Sequence, residues 1–432
     1  MIKMSRVITV SEYSRIYVNQ KYGDVTITRE DILELKSFID NHNSETSKNT
    51  GNYSDFMTPI RNGVQLNNYV GVLQTKSNLT IEVLPKIYKN SETKKNQDDI
   101  RELFFKMLKT VRHINGKKFR MTHLNTRKQN IFEVFISMFL EESNQIFKQG
   151  LSSNYVTIKS NERFRKGKLC MVEHLRLNQT DASKFYNEFD EFLSDTLENQ
   201  ILKNTLLILL KVSKDNNNLR LIREQLIYLE TVRNTIINEN SFNQVILNRS
   251  FSYYEQTLEW CHVFFKGTSF TSFKGEALAV AILFPMEKLF ESYIAKVAKT
   301  QLMDDKVVSQ DSSYWLFDKT EKTSQSYQLK PDLVIKKESG ELIIADTKWK
   351  ILDKYGPSQS DLYQMYAYYS RYKANFEDVK KVLLIYPYSE KYPEKEFLSI
   401  DNSEEKIGAK IQIKYIDLLS DNLEENLKEL FN

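Results

Sequence analysis

Residues 329–350, LKPDLVIKKESGELIIADTKWK, contain two short apolar runs separated by a Lys-Glu-Ser-Gly turn. The first run follows Asp332, and the second, Leu342–Ala345, leads directly into Asp346. Two apolar runs joined by a short turn that contains glycine predict a β-hairpin. We therefore expect Asp332 at the start of one strand and Asp346 near the end of the other, so that their carboxylates lie close together.

Lys348 follows Asp346 by two residues, and strand alternation puts both on one face with Thr347 opposite. Two converging carboxylates can hold Mg²⁺, or Mn²⁺ as a substitute, through oxygen ligands. Such a cation polarises a phosphate and helps a bound water to lose its proton. A neighbouring lysine can orient or deprotonate that water and offset negative charge in the transition state. The alternative is an ordinary ion pair between Asp346 and Lys348 at a sheet end.

Two further pairs of polar residues flank the hairpin. Upstream, Glu287 and Glu291 lie four residues apart on one face of a predicted helix, and one of them could complete the metal shell. Downstream, Gln364 and Tyr368 share one face of the helix that follows the hairpin. The candidate site therefore comprises Asp332, Asp346, Lys348, one upstream glutamate, Gln364 and Tyr368.

The pattern along the chain predicts a multidomain protein of the α/β and α+β classes. Residues 1–99 are predicted to be β-rich, 100–270 helical, and 271–432 a mixed sheet flanked by helices. In the first part we expect a helix over Arg29–His42, a loop over Asn43–Asp55, and paired strands over Tyr69–Gln74 and Leu79–Leu84. In the middle part we expect helices over Arg101–Ile114, Ile131–Phe147, Phe185–Val212 and Leu219–Asn238 around the strand-like Tyr155–Lys159. In the third part we expect a helix over Glu276–Leu302 that Pro285 kinks or restarts, a helix over Asp361–Lys373, and strands over Lys381–Tyr386 and Lys410–Tyr415.

Composition limits the class of protein. The chain has 432 residues and only two cysteines, Cys170 and Cys261, which favours a reducing cytoplasm. No apolar run approaches the roughly 18 residues that a membrane span needs. The net charge is only +4, but Lys106–Lys128 contains eight Lys/Arg and no carboxylate, and Lys159–Lys168 is also basic. Either stretch could contact phosphates of double-stranded DNA, or could simply be a solvated surface.

An acidic helix, a hairpin with Pro331-Asp332, a strand that ends in Asp346-Thr347-Lys348, and a helix with Gln364 and Tyr368 follow one another in this sequence. This order resembles the RecB-like branch of the PD-(D/E)xK nucleases, whose fold is similar to that of restriction endonucleases. The strings LKPDLVI, LIIADTKWK, DLYQMYAYY and VLLIYP look like the nuclease domain of the McrC family, and YVGVLQTKSNLTIEVLPKI looks like its first domain. The string MEKLFESYI matches the acidic helix of that family and favours Glu291 over Glu287 as the third metal ligand. Thr347 stands where the family often has alanine, at a position expected to face away from the metal.

The resemblance implies a Mg²⁺-dependent DNA endonuclease subunit of an McrBC-type, modification-dependent restriction system. It also implies a partner: a ring of an McrB-like AAA+ GTPase, bound through the N-terminal domain and stimulated in its GTP hydrolysis. The sequence has no G-x-x-x-x-G-K-[ST] phosphate loop, as expected if the partner and not this chain hydrolyses GTP. Two alternatives stay open, namely a stand-alone RecB-like nuclease and a non-catalytic adaptor of an AAA+ ring.

Overall fold

The computed structural model describes residues 6–45, 56–75, 77, 79–87, 94–111, 130–181, 183–247, 249–269, 278–319, 326–375, 379–389, 392–401, 406–420 and 422–431. Residues 112–128 of the basic stretch Lys106–Lys128 and residues 46–55 of the expected loop lie outside them. The described residues form two compact units, 1–118 with 273–432, and 119–272. The predicted divisions at 99 and 270 stay predictions, whereas the compact units divide at 118 and 272.

The first part of the chain is a set of short strands with two helices. Its elements are β1 (Arg6–Ser11), β2 (Arg15–Tyr17), β3 (Lys21–Tyr22), β4 (Val25–Thr26), α1 (Arg29–Glu45), β5 (Met57–Ile60), β6 (Gly63–Leu66), β7 (Tyr69–Thr75), β8 (Leu79–Leu84) and α2 (Lys94–Val111). The predicted pairing of β7 with β8 is confirmed, with Leu73 opposite Ile81. Helix α1 continues through residues 43–45, which were expected to belong to a loop.

The unit 119–272 combines helices with a three-stranded sheet. Its elements are α3 (Ile131–Gln149), β9 (Asn154–Glu162), β10 (Lys168–Leu169), α4 (Met171–Leu177), β11 (Phe185–Leu193), α5 (Leu197–Val212), α6 (Asn216–Tyr228), α7 (Glu239–Asn243), a 3-10 helix (Arg249–Tyr254) and α8 (Glu255–Ser269). The helix predicted over 185–212 was wrong in its first half, because residues 185–193 form β11 and pair antiparallel with β9. The aromatic residues of that segment fit helical spacing equally well, and only the partner strand decides between the two.

The last part of the chain carries the central sheet. Its elements are β12 (Leu278–Pro285), α9 (Met286–Gln301), β13 (Lys306–Ser309), β14 (Trp315–Phe317), β15 (Ser326–Gln328), β16 (Leu333–Lys336), β17 (Leu342–Thr347), α10 (Gln359–Lys373), β18 (Val379–Pro387), β19 (Glu396–Asp401), β20 (Lys406–Ile416) and α11 (Leu423–Phe431). The predicted helix over 276–302 was wrong before Pro285, where LAVAILFP forms β12 and a new helix begins at Met286. An unbroken apolar run of eight residues suits a buried strand as well as a helix, and pairing with β7 decides for the strand.

Strand β12 belongs to a sheet with N-terminal strands. The order is β1-β8-β7-β12, with β1 and β8 parallel and the other neighbours antiparallel. The close approach of β7 to β12 requires Gly71, because a β-carbon there would collide with the carbonyl of Ile282. Residues far apart in sequence therefore share one compact unit, and helix α9 begins directly from this sheet.

The six-stranded sheet has the order β13-β16-β17-β18-β20-β19 and mixes strand directions. The hairpin β16–β17 is antiparallel, whereas β17–β18 and β18–β20 are parallel. Helix α10 makes the crossover from β17 to β18, and its Met365, Tyr368 and Tyr372 are buried against Ile344 and Leu384 of the sheet. Buried residues of the alternate positions, such as Ile343, lie on the opposite face.

Candidate active site at the end of the central sheet

The hairpin brings the two predicted aspartates together. In the register of β16 and β17, Leu333 lies opposite Ala345, which places Asp332 next to Asp346 across the two strands. Asp346 is paired with Leu384 of β18, and the backbone N–H of Lys348 extends the parallel ladder by donating to the Ile385 carbonyl at 2.9 Å. The site therefore lies where two of the innermost strands end.

Asp332 is held by Thr347. Its Oδ2 accepts hydrogen bonds from the backbone N–H and from the hydroxyl of Thr347, each at 2.7 Å. Burial raises the pKa of Asp332, although these two bonds and the nearby Lys348 lower it in part. The expectation for Thr347 is thereby corrected, because its hydroxyl contacts a predicted metal ligand and alanine there would remove one of the two bonds.

Asp346 is a nearly inaccessible carboxylate, with 2% of its surface exposed. Burial, followed by the negative charge of Asp332, raises the pKa of Asp346 to about 7. The ammonium nitrogen of Lys348 lies 2.7 Å from Oδ2, yet that oxygen receives no well-aligned hydrogen bond from any residue that the structure describes. The contact is therefore a close ion pair, which lowers the pKa of Asp346 in part.

Lys348 is anchored from its other side by helix α10. Its Nζ donates to Gln364 Oε1 at 3.0 Å, and Gln364 Nε2 donates to the Tyr368 hydroxyl at 2.7 Å. The Tyr368 hydroxyl in turn donates to the carbonyl of Lys330 at 3.1 Å, just before the hairpin. Burial lowers the pKa of Lys348, but Asp346 and Asp332 raise it further, so the net shift is upward and the lysine is charged. Gln364 and Tyr368, predicted from spacing alone, thus form one continuous chain of hydrogen bonds to the lysine.

Glu291 on α9 lies beside Asp332. Burial and the Asp332 carboxylate both raise the pKa of Glu291, and the side chain of Gln310 donates to both carboxylates. The preceding residue, Phe290, packs its ring 5.2 Å from that of Trp349, which fixes this turn of the helix against the end of β17. Glu287, one turn earlier, instead acts on Glu12, whose pKa it helps to raise. The structure thus groups Glu291, rather than Glu287, with the predicted site.

Gln310 is the residue at this site that the sequence did not single out. It follows β13, and its backbone N–H donates to the Asp332 carbonyl at 3.0 Å. Its φ of 52° is in the left-handed region, which few non-glycine residues adopt. No periodicity or short motif marks a single glutamine 22 residues before Asp332, and only the pairing of β13 with β16 brings it there.

The oxygen atoms of Glu291, Asp332 and Asp346 are of the type that hard divalent cations prefer. Among the described residues, however, no three His, Cys, Asp or Glu side chains stand close enough to hold a metal as they are. Instead, the amide of Gln310 donates to the carboxylates of Glu291 and Asp332, and the ammonium of Lys348 pairs with the carboxylate of Asp346. The donor set fits a hard cation in its chemistry, and binding one requires the side chains to rearrange.

A family model described as the McrBC 5-methylcytosine restriction system component matches residues 64–387, about three quarters of the chain. The chain belongs to the McrBC family. Two solved assemblies from Thermococcus gammatolerans contain chains with a similar fold. One is a half-complex of McrB AAA+ hexamers with bound McrC, at 19% identity and a TM-score of 0.71, covering 99% of both chains. The other is the McrBC complex, at 21% identity and a TM-score of 0.52, covering 68% of this chain and 88% of its match.

In its fold the chain is therefore McrC-like, since it is similar to a chain of an assembly of McrB hexamers with bound McrC. A search of curated proteins found no match. Among the described helices of this McrC-like chain, none is long and apolar enough to cross a membrane.

Proposed function

We propose that this McrC-like chain is the DNA endonuclease subunit of a GTP-dependent restriction complex. In this proposal residues 271–432 form a PD-(D/E)xK nuclease domain, 1–99 a partner-binding domain, and 100–270 a connector. The observation that carries it is the buried Asp346 carboxylate, which lies next to Asp332 across the hairpin and 2.7 Å from the ammonium nitrogen of Lys348. A carboxylate buried at the end of a core strand is typical of a functional site.

Each side chain has a distinct part in phosphodiester hydrolysis. A water oxygen attacks phosphorus, the bond from phosphorus to the leaving deoxyribose oxygen breaks, and negative charge accumulates on the phosphate oxygens. The leaving oxygen takes up a proton from solvent. Because the pKa of Lys348 is raised, its ammonium stays protonated and stabilises that charge rather than removing the proton of the water. Gln364 and Tyr368 hold the ammonium in place.

The carboxylates supply the basic oxygens of the site. Asp332, Asp346 and Glu291 would hold Mg²⁺, or Mn²⁺ in its place, and the bound cation would polarise the phosphate and acidify a water. Thr347 keeps Asp332 oriented through its two hydrogen bonds. Asp346 would stay ionised as a ligand of the bound cation, and the acidified water would release its proton to solvent.

An AAA+ GTPase ring is the proposed partner. One of the similar solved assemblies is described as McrB AAA+ hexamers with bound McrC, and this sequence has no phosphate loop with which to hydrolyse GTP itself. We propose that the chain binds such a ring, stimulates its GTPase and cleaves the double-stranded DNA that the ring handles. The exposed Arg163, Arg165 and Lys168 of the basic stretch are available to contact DNA phosphates.

Plasmid cleavage with Mg²⁺ tests the proposal. Wild type, Lys348→Ala and the matched control Lys354→Ala, an exposed lysine on the loop after β17, are each assayed with and without the McrB-like GTPase and GTP. We expect cleavage by wild type and Lys354→Ala only when partner and GTP are present, and none by Lys348→Ala. Cleavage by wild type without the partner would favour a stand-alone RecB-like nuclease instead. Stimulated GTP hydrolysis without cleavage in any mixture would favour the non-catalytic adaptor.

A further inference from the structure

The amide of Gln310 lies between two carboxylates of the candidate site. Its Nε2 donates to Glu291 Oε1 and lies 3.3 Å from Asp332 Oδ1. The carboxylates of Glu291 and Asp332 are close enough to repel each other, and the repulsion contributes to the raised pKa of Glu291. The amide of Gln310 thus lies between two negatively charged groups and donates to both, which reduces their repulsion.

The backbone fixes the position of this side chain. The residue before it, Ser309, pairs with Leu333 at the end of β13, and the N–H of Gln310 donates to the Asp332 carbonyl at 3.0 Å. The positive φ of 52° turns the chain at this point, and such conformations persist where the surroundings enforce them. Gln310 is thus attached through its backbone to the aspartate that its side chain also contacts.

A glutamine amide can present either of two atoms to the same point. Rotation by half a turn about the last side-chain bond exchanges Nε2 for Oε1 with almost no change in shape. The nitrogen donates to carboxylates, whereas the oxygen is a neutral ligand of the kind that accompanies carboxylates around Mg²⁺ and related hard cations. The same side chain therefore suits the site both without a cation and with one.

We propose that Gln310 is a neutral oxygen ligand of the divalent cation, held in place by Glu291 and Asp332 before the cation binds. This inference rests on the proposed function, since it concerns the same cation. The three carboxylates and the Lys348 ammonium carry a net charge of about −2 when all are ionised, which one divalent cation neutralises. A fourth ligand without charge completes the shell and leaves that balance unchanged.

Binding of Mn²⁺ to the full-length protein, measured by isothermal titration calorimetry at pH 8 without nucleotide or DNA, tests the inference. The variants are Gln310→Met, which keeps the length of the side chain but lacks an oxygen, and Gln310→Glu, which keeps an oxygen. The control is Gln328→Met, because Gln328 is another exposed glutamine whose amide bonds a backbone carbonyl, that of Ser312. Asp346→Asn reports on the cation site itself.

We expect Gln310→Met to weaken Mn²⁺ binding by about 10-fold or more, with Gln310→Glu at least as tight as wild type and Gln328→Met unchanged. Equal or tighter binding by Gln310→Met, alongside loss of binding in Asp346→Asn, would overturn the role of Gln310 and leave the cation site standing. Undiminished binding by Asp346→Asn, or no binding by wild type, would overturn both this inference and the proposed cation site. Unfolding midpoints measured with a chelator check that each variant remains folded, since Gln310 is exposed.

Discussion

Replacing Asp346 by asparagine should make the metal-free protein more stable while removing its activity. The pKa of Asp346 rises from 3.8 to about 7 on folding, with burial as the first cause and Asp332 as the second. At pH 8 the carboxylate is ionised in both states, so folding moves a charge into surroundings that disfavour it. Asparagine has nearly the same shape and no charge, so it avoids this cost.

The magnitude follows from the pKa difference. A shift of about 3 units corresponds to about 4 kcal/mol at full ionisation, which is an upper limit because the site can relax. The variant also removes the ion pair of Lys348, but that lysine keeps its bond to Gln364 and 28% of its side-chain surface is exposed. We expect a net gain of about 2 kcal/mol, or about 4 °C in the unfolding midpoint of a unit of this size.

The gain should depend on pH. A carboxyl group whose pKa is raised on folding binds protons more readily in the folded state, so wild-type stability falls as pH rises from about 4 through about 7. Asp346→Asn lacks this fall, so the difference in unfolding free energy between the variant and wild type should grow across that window and be complete above pH 7. Thermal unfolding of both proteins with a chelator at pH 5 and pH 8 measures the difference.

Asp311 provides a control of opposite sign. Burial raises its pKa, but hydrogen bonds from Ser313 and Tyr372 lower it more, so the net shift is downward. Its ionised form favours folding, and Asp311→Asn should be less stable than wild type at pH 8. If Asp346→Asn were no more stable than wild type at pH 8 while Asp311→Asn behaved as expected, the conclusion that the buried carboxylate opposes folding would be wrong.

Glu12→Gln should also remove part of the pH dependence, because burial raises the pKa of Glu12 from 4.5 to about 7. Between those two pH values the variant should lose less stability than wild type, because Asp346 still contributes its own loss; pH-dependent urea unfolding measures the difference, and parallel curves would contradict the assignment. Tyr368→Phe should lower cleavage in the assembled complex by about 10-fold or more, because Gln364 loses the hydroxyl that orients it towards Lys348. A variant with unchanged cleavage and an unchanged unfolding midpoint would remove Tyr368 from the site.

Local patterns in the sequence predicted much of the site. The hairpin of Asp332 and Asp346, the buried strand β18 and the helix that carries Gln364 and Tyr368 are present as expected, because each depends on neighbours in sequence. The choice of Glu291 over Glu287 came from the resemblance to a family, and the structure groups Glu291 with Asp332. Their catalytic roles remain predictions, as do the cation and the DNA substrate.

Long-range pairing accounts for the two segments that were predicted to be helical and form strands instead. Residues 278–285 and 185–193 carry apolar patterns that suit either a helix or a strand, and their partners β7 and β9 lie elsewhere in the chain. Spacing alone offers no means of knowing that these partners exist.

The sequence by itself determined which candidate residues of the hairpin and of α10 stand together, because the spacing within one hairpin and one helix turn fixes which side chains share a face. Only the tertiary structure decided which other groups complete the site. Gln310 reaches Asp332 through the pairing of β13 with β16. Helix α9, which carries Glu291, begins directly after β12, a strand that belongs to the sheet of N-terminal strands. The raised pKa of Asp346 likewise depends on surrounding layers and on Asp332. These features arise from contacts between distant parts of the chain, whose burial and register no local window of sequence contains.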